Sequence, residues 1–179
     1  MWGVMAVRTV IRMGHPVLRG VAEPVERFDT LGLHALVEDL WDTMHASGGI
    51  GIAAPQIAVA WRVVVFGLGA HGAETGRGRP APIPPTVLVN PVIEPLADVM
   101  ADGWEACLSV PGLRGVVPRY TRIRYTGFDA FGNRIEREVE DYHARVVQHE
   151  CDHLDGVLYP ARIRDMTTFG FDEELAVEA

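Results

Sequence analysis

Gln148-His149-Glu150-Cys151-Asp152-His153 is the stretch on which the reading of this chain turns. At 3.6 residues per turn, helix positions i and i+4 share one face, so the imidazoles of His149 and His153 can reach a single ion. Glu150, between them, lies beside that ion and can accept a proton from water that the ion has acidified. A solvated helix rich in His and Glu could carry the same His-Glu-x-x-His pattern without any metal. A hydrolytic site needs a third protein ligand and one open position.

The chain has two cysteines, and one of them is inside the helix motif. The other, Cys107, lies in Trp104-Glu105-Ala106-Cys107-Leu108-Ser109-Val110-Pro111-Gly112, where its plain alternative is a buried structural thiol. A third segment, Gly49-Ile50-Gly51-Ile52-Ala53-Ala54-Pro55-Gln56, follows a helical pattern and precedes the apolar run Val63 to Leu68. Its glycines and alanines let the backbone approach something closely, or simply make a tight helix-to-strand connection.

In order and spacing, these three segments resemble the motifs of peptide deformylase, the family that removes the formyl group from the starting methionine of new polypeptides. The family patterns are Gly-x-Gly-x-Ala-Ala-x-Gln, Glu-Gly-Cys-Leu-Ser and Gln-His-Glu-x-Asp-His. They correspond here to Gly49 to Gln56, Glu105 to Ser109, and Gln148 to His153, and the resemblance runs from about His15 to about Tyr159. One departure is Ala106, which stands where the motif has glycine. Its added methyl matters if the backbone there needs positive φ or if a substrate strand passes very close. Altered substrate fit is expected, with the ligand retained.

The resemblance implies a metal-dependent hydrolase in which Cys107, His149 and His153 bind one divalent ion. Ferrous iron is the implied native metal, and zinc, nickel or cobalt are able to occupy the site. Glu150 is implied as the proton shuttle, with the Gln56 side-chain amide and the Leu108 backbone N–H as donors to the developing oxyanion. Substrate contacts fall on Ile50, Gly51, Glu105, Ala106, Arg114, Tyr142 and Val146, and Arg119 and Asp152 join Glu105 in orienting the ligands. Arg145 is more polar than a methionine pocket suits and is free to turn outward. The implied substrates are N-formyl-methionyl nascent peptides, which brings the ribosome in as a partner. Some relatives dock there through a C-terminal helix, a mode that the short acidic tail 172–179 does not suit.

Two other readings compete. A His-Glu-x-x-His endopeptidase takes its third ligand from a His or Glu downstream, yet no histidine follows His153. A non-catalytic metal- or peptide-binding relative could dispense with Glu150, which this chain keeps; Ala106 and the short tail speak for that alternative.

Composition narrows the field further. The 179 residues carry 48% hydrophobic content, enough for one domain, 1–179, with a real core. A net charge of -8 argues against direct nucleic-acid binding. All 16 basic residues are arginine, so Schiff-base chemistry and a Walker A loop are excluded. No apolar run approaches the roughly 20 residues of a membrane span. Met1-Trp2-Gly3-Val4-Met5 lacks the charged region of a signal peptide. The two cysteines could not pair in a disulfide and leave Cys107 free to ligate metal, so a reducing compartment, the cytoplasm, is expected, and the formylated substrates that the resemblance implies point to a bacterium.

Leu33, Leu36, Val37, Leu40, Trp41 and Met44 follow helical spacing, with Asp29 or Thr30 as cap and Ser47-Gly48-Gly49 as stop. Val63 to Leu68, Thr86 to Asn90, Val116 to Arg119, Arg122 to Phe128 and Arg134 to Val139 read as strands, the last two joined by a turn at Asp129 to Asn133. Residues 69–85 read as a loop able to border the cleft. A second helix runs from near Asp141 to about Leu154, closed by Asp155-Gly156. The expected class is α+β: small antiparallel or mixed strands around a central metal-binding helix, with an N-terminal helix.

Overall fold

The first helix, α1 (Leu31–Ala46), forms where the apolar spacing requires it, with Leu33, Leu36, Leu40 and Met44 buried along one face. The structure, a computed structural model, describes residues 7–69 and 80–175. Thr30 is the cap: its hydroxyl accepts from the Leu33 N–H at 3.2 Å. Asp29 instead takes positive φ and pairs with His34 at 2.8 Å.

Five antiparallel strands make the larger sheet in the order β1 (Gly51–Ala53), β2 (Val63–Leu68), β3 (Ile83–Pro95), β6 (Arg122–Phe128), β7 (Arg134–Glu140). A smaller sheet contains β4 (Met100–Cys107), β5 (Val110–Tyr120) and β8 (Gly170–Phe171), also antiparallel. Strand β2 shows why its sequence is apolar without alternation. Side chains alternate across a strand, so Val63 and Val65 pack with α1 on one face while Val64 and Phe66 pack beneath α2 (Asp141–Leu154) on the other. Both faces are covered, and all four residues are fully buried.

Helix α2 is caught between the two sheets. Ala144, Val147, Cys151 and Leu154 face the larger one, and full burial of residues such as Val147 and Leu154 is worth roughly 1.5–3 kcal/mol each. Its opposite face meets β4 and β5 through polar side chains. Gln148 imitates a strand residue there: its amide donates to the Tyr120 carbonyl at 2.9 Å and accepts from the Tyr120 N–H at 3.1 Å. The helix ends before Gly156, whose φ of +72° suits glycine.

Several strands differ from the sequence reading. β3 and β5 are longer than expected, and β3 takes in residues 83–85 of the expected loop; residues 70–79 of that loop lie outside the described residues. β1, β4 and β8 carried no strand signal. Met100-Ala101-Asp102-Gly103-Trp104-Glu105-Ala106-Cys107 has no β-branched residue, and pairing with β5 makes it a strand. Of the tail, Asp172–Leu175 form a short helix, α3, and 176–179 lie outside the described residues.

His143, near the start of α2, packs its ring 5.9 Å from both Phe66 and Tyr125, and its Nε2 has no hydrogen-bond partner among the described residues. Burial first, and then the charge of Arg137, hold its pKa down to about 4. The unfolded chain therefore binds this proton first as pH falls. The stability from a neutral His143 is complete above about pH 6.5 and is lost toward pH 4. Allowing for solvent around a half-buried ring, the component is about 1 kcal/mol. Denaturant unfolding at pH 7 and pH 4.5 should show a smaller stability loss in His143→Phe than in the parent; equal losses would remove His143 from the account.

Candidate metal centre

The β4–β5 register fixes the site. Trp104 and Ala106 face outward, so Glu105 and Cys107 must face inward, toward α2. There the Cys107 thiol meets His149 and His153, with one ligand atom from each within 4.8 Å of the others. Cys107 Sγ is 3.4 Å from His153 Nε2, and the two imidazole centroids are 5.2 Å apart. His149 gives its Nδ1 to Glu105 Oε2 at 2.8 Å, which leaves Nε2 as the nitrogen available to an ion. A soft thiolate with two imidazoles suits a divalent transition metal with one position left open.

Glu105 is the hub of this arrangement. Arg119 grips it twice, Nε to Oε1 and Nη2 to Oε2, each at 2.9 Å, and Arg145 Nη1 reaches Oε1 at 2.8 Å. Burial opposes the carboxylate charge, yet the hydrogen bonds from His149 and Arg119 hold its pKa well below the usual carboxylate range. Arg119 also donates to Asp152 at 2.6 Å, and Arg162 holds Asp152 from the far side at 2.7 Å. Glu105 was expected among the substrate contacts; it borders the cleft, but both its oxygens are engaged within the protein. Arg145 does not turn outward. Its guanidinium crosses β4 and β5 and donates to the carbonyls of Ala101 at 2.6 Å and Val117 at 2.8 Å.

Glu150 is buried, and its Oε2 has no partner among the described residues. Burial pushes its pKa up to about 7 against the opposing pull of His149, and a cation at the ligands would draw it down again. Gly51 explains how the carboxylate fits. A Cβ at Gly51 would lie inside contact distance of the Glu150 carboxyl, so only glycine lets β1 pass so close. Gln56 is fixed in orientation: its Oε1 accepts from the Ala53 N–H at 2.8 Å, and its amide nitrogen faces Ser109 Oγ at 3.2 Å and Cys107 Sγ at 3.5 Å. Leu108 follows Cys107 at the turn into β5, its side chain packed with the α1 cluster.

A cavity of about 420 Å³ opens above these groups, lined by Ile50, Leu108, Tyr142, Val146, His149 and Glu150 among others. Ala106 borders it from the exposed side of β4, and its φ is not positive, so the extra methyl strains no backbone. Arg114 sits further out, its guanidinium carbon 4.7 Å from the centre of the Trp104 ring. Four contributors carried no assigned role in the sequence reading: Gln148, Ser109, Arg145 and Tyr159. Tyr159 stacks on His149 at 6.1 Å between centroids and donates to the Leu113 carbonyl at 3.0 Å. Gln148 and Ser109 lay within the motifs. Arg145 and Tyr159 are placed by tertiary contacts that no local pattern announces.

A cysteine sulfur and two imidazoles able to hold one ion, with a buried carboxylate beside them at the base of an apolar cleft, fit the class of mononuclear metal hydrolases. The comparisons give that class its family. The polypeptide deformylase family profile matches residues 7–169. Peptide deformylase 2 of Ralstonia nicotianae is 58% identical over 173 residues, covering 96% of each chain, and peptide deformylase 1 of Bordetella pertussis is 57% identical with the same coverage. Among solved structures, a Met-Ala-Ser-bound class I type b peptide deformylase from Acinetobacter baumannii superposes with a TM-score of 0.82 at 32% identity, covering 89% of this chain and all 100% of that one. An actinonin complex from Synechococcus elongatus gives 0.79 at 31% identity, covering 93% and 83%. The chain belongs to the peptide deformylase family, whose members are metal-dependent enzymes.

Gly51→Ala should displace Glu150 while leaving Cys107, His149 and His153 in place. Metal content measured after purification is expected to match the parent while kcat falls by about tenfold or more. Parental turnover in that variant would show that the close approach of β1 is irrelevant.

Proposed function

We propose that this chain removes the formyl group from N-formyl-methionyl ends of nascent polypeptides, breaking the formyl C–N bond with water and releasing formate and a free amine. The observation that carries the reading is the convergence of Glu150, Gln56 and the three ligand residues on one end of a single cleft. Cys107, His149 and His153 would hold a divalent ion, which when bound polarises a carbonyl and acidifies water. Glu150 takes the proton from the attacking water and delivers it to the departing nitrogen, a role typically worth about 10² to 10⁴ in rate. As negative charge develops on the formyl oxygen, the Gln56 amide and the Leu108 N–H donate to it. The Ala53 N–H holds Gln56 in that orientation before substrate arrives.

The substrate's methionine side chain finds an apolar wall in Ile50, Tyr142 and Val146, with the stem of Arg145 alongside. The peptide backbone finds two sheet edges, β1 and β4, on opposite sides of the cleft, each with unpaired groups able to accept an added strand. The Acinetobacter relative holds Met-Ala-Ser, which supports a peptide of this kind in this cleft. Ferrous iron is the native metal on this reading, from the family resemblance and the soft thiolate donor, with zinc, nickel or cobalt as substitutes. Nascent chains as substrates bring the enzyme to ribosomes in the bacterial cytoplasm. No helix among the described residues is long and apolar enough to cross a membrane.

Anaerobically purified protein offered formyl-Met-Ala-Ser, the unblocked peptide and an internal peptide should release formate from the first alone; internal cleavage would favour an endopeptidase instead. Glu150→Gln should keep its metal and lose at least about 10²-fold in kcat. Gln56→Ala should lose about 3 kcal/mol of barrier lowering, roughly two orders of magnitude in kcat, with metal content unchanged. Full activity in either variant would remove that residue from its role.

A further inference from the structure

The outer end of the cleft is built from residues that the hydrolytic chemistry does not use. β8 pairs with β5 through Leu113↔Phe171 and Arg114↔Gly170, so the chain turns into α3 directly beside Arg114. Asp172, the first residue of α3, borders the same cavity as Glu150 and Gln56, and so does Trp104 on β4. Between these two sits Arg114, its guanidinium over the Trp104 ring and its Nε 3.1 Å from Asp172 Oδ1. That approach lacks the alignment of a hydrogen bond, and Arg114 Nε is buried with no other partner among the described residues. The attraction is one of charge: Arg114 does not itself line the cavity but touches two residues that do, Trp104 and Asp172, and the Asp172 carboxylate offsets its positive charge there.

Position along the cleft says which part of a substrate meets this rim. β4 runs from Cys107 at the metal centre to Trp104 at the rim, three residues at roughly 3.3 Å each, or roughly 10 Å. An extended peptide with its formyl group at the centre and its backbone along β4 brings its third or fourth residue to the level of Trp104, Arg114 and Asp172. The tail that carries Asp172 is anchored there. Phe169 packs edge-on against Tyr159 at 6.2 Å, and a Cβ at Gly115 would overlap Ile163, so β5 and the tail lie in close contact.

We infer that Asp172 is a specificity-determining residue: by neutralising Arg114 beside the cleft mouth, it keeps the enzyme from preferring nascent chains with acidic third or fourth residues. This rests on the deformylase reading and extends it to downstream residues of the substrate. Asp172 is half-exposed, so its effect is moderate and screened by salt. Removing the carboxylate leaves Arg114 to attract Glu or Asp and repel Lys or Arg at the third and fourth positions.

The test compares kcat/KM for formyl-Met-Ala-Glu-Ser-amide and formyl-Met-Ala-Lys-Ser-amide, the amide removing the terminal charge. Read as a ratio, a general loss of activity cancels. In Asp172→Asn the Glu-to-Lys ratio should rise by about fivefold at low ionic strength and fall back toward the parental ratio at about 0.5 M salt. Asp172→Glu should keep the parental ratio, and adding Arg114→Gln to Asp172→Asn should abolish the gain. A ratio unmoved in Asp172→Asn, or moved equally at high salt, overturns the inference. Absence of formate release from both peptides by the parent would instead overturn the deformylase reading itself.

Discussion

A buried carboxylate shared among three donors organises this protein. Glu105 lies on a strand with little intrinsic preference to be one, and it is surrounded by Arg119, Arg145 and His149 with almost no solvent. A charge in such a place is tolerated only when its partners are held in register, and removing one partner of a buried pair typically costs about 3–5 kcal/mol. The same carboxylate fixes the His149 ring so that its other nitrogen faces the Cys107 thiol. Packing of α2 on the smaller sheet and ligand orientation are therefore one interaction seen from two sides.

The surrounding structure serves that constraint. Val64, Phe66, Ala144, Val147 and Leu154 press α2 onto the larger sheet from one side. Gln148 and Arg145 tie its other side to β4 and β5 through backbone carbonyls and the Tyr120 N–H. A helix held on both faces cannot rotate, and rotation by even a fraction of a turn would carry His149 and His153 away from Cys107. Gly51 then allows β1 to pass directly against the buried Glu150 carboxyl.

Much of this was readable from the chain. The helix α1 follows from apolar periodicity, β2 from an unbroken apolar run, and the helix around His149 to His153 from the i, i+4 spacing of its two histidines. β4 was not readable, since Asp102, Gly103 and Glu105 carry no strand preference and the pairing with β5 makes the strand. Within the site, Glu150 and the two histidines stood out because metal chemistry restricts residue type and spacing, whereas Cys107 and Gln56 were singled out by the order and spacing of the family's motifs. Arg145 did not, because an arginine on a helix resembles any solvated one until the strand that accepts its hydrogen bonds is in place. For Glu105 the motif resemblance implied the pairing with Arg119, but nothing in the sequence pointed to Arg145 as its second arginine.

The central claim is that Glu105 holds His149 in position for the metal, and cobalt(II) binding tests it most directly. Metal-free parent and Glu105→Gln protein would be titrated anaerobically, following the thiolate-to-cobalt absorption, with far-UV circular dichroism recorded on both. The account predicts binding weaker by about 10- to 100-fold in the variant at unchanged secondary structure, the usual cost of losing a group that orients a metal-bound histidine. Equal affinity with an identical spectrum would contradict it.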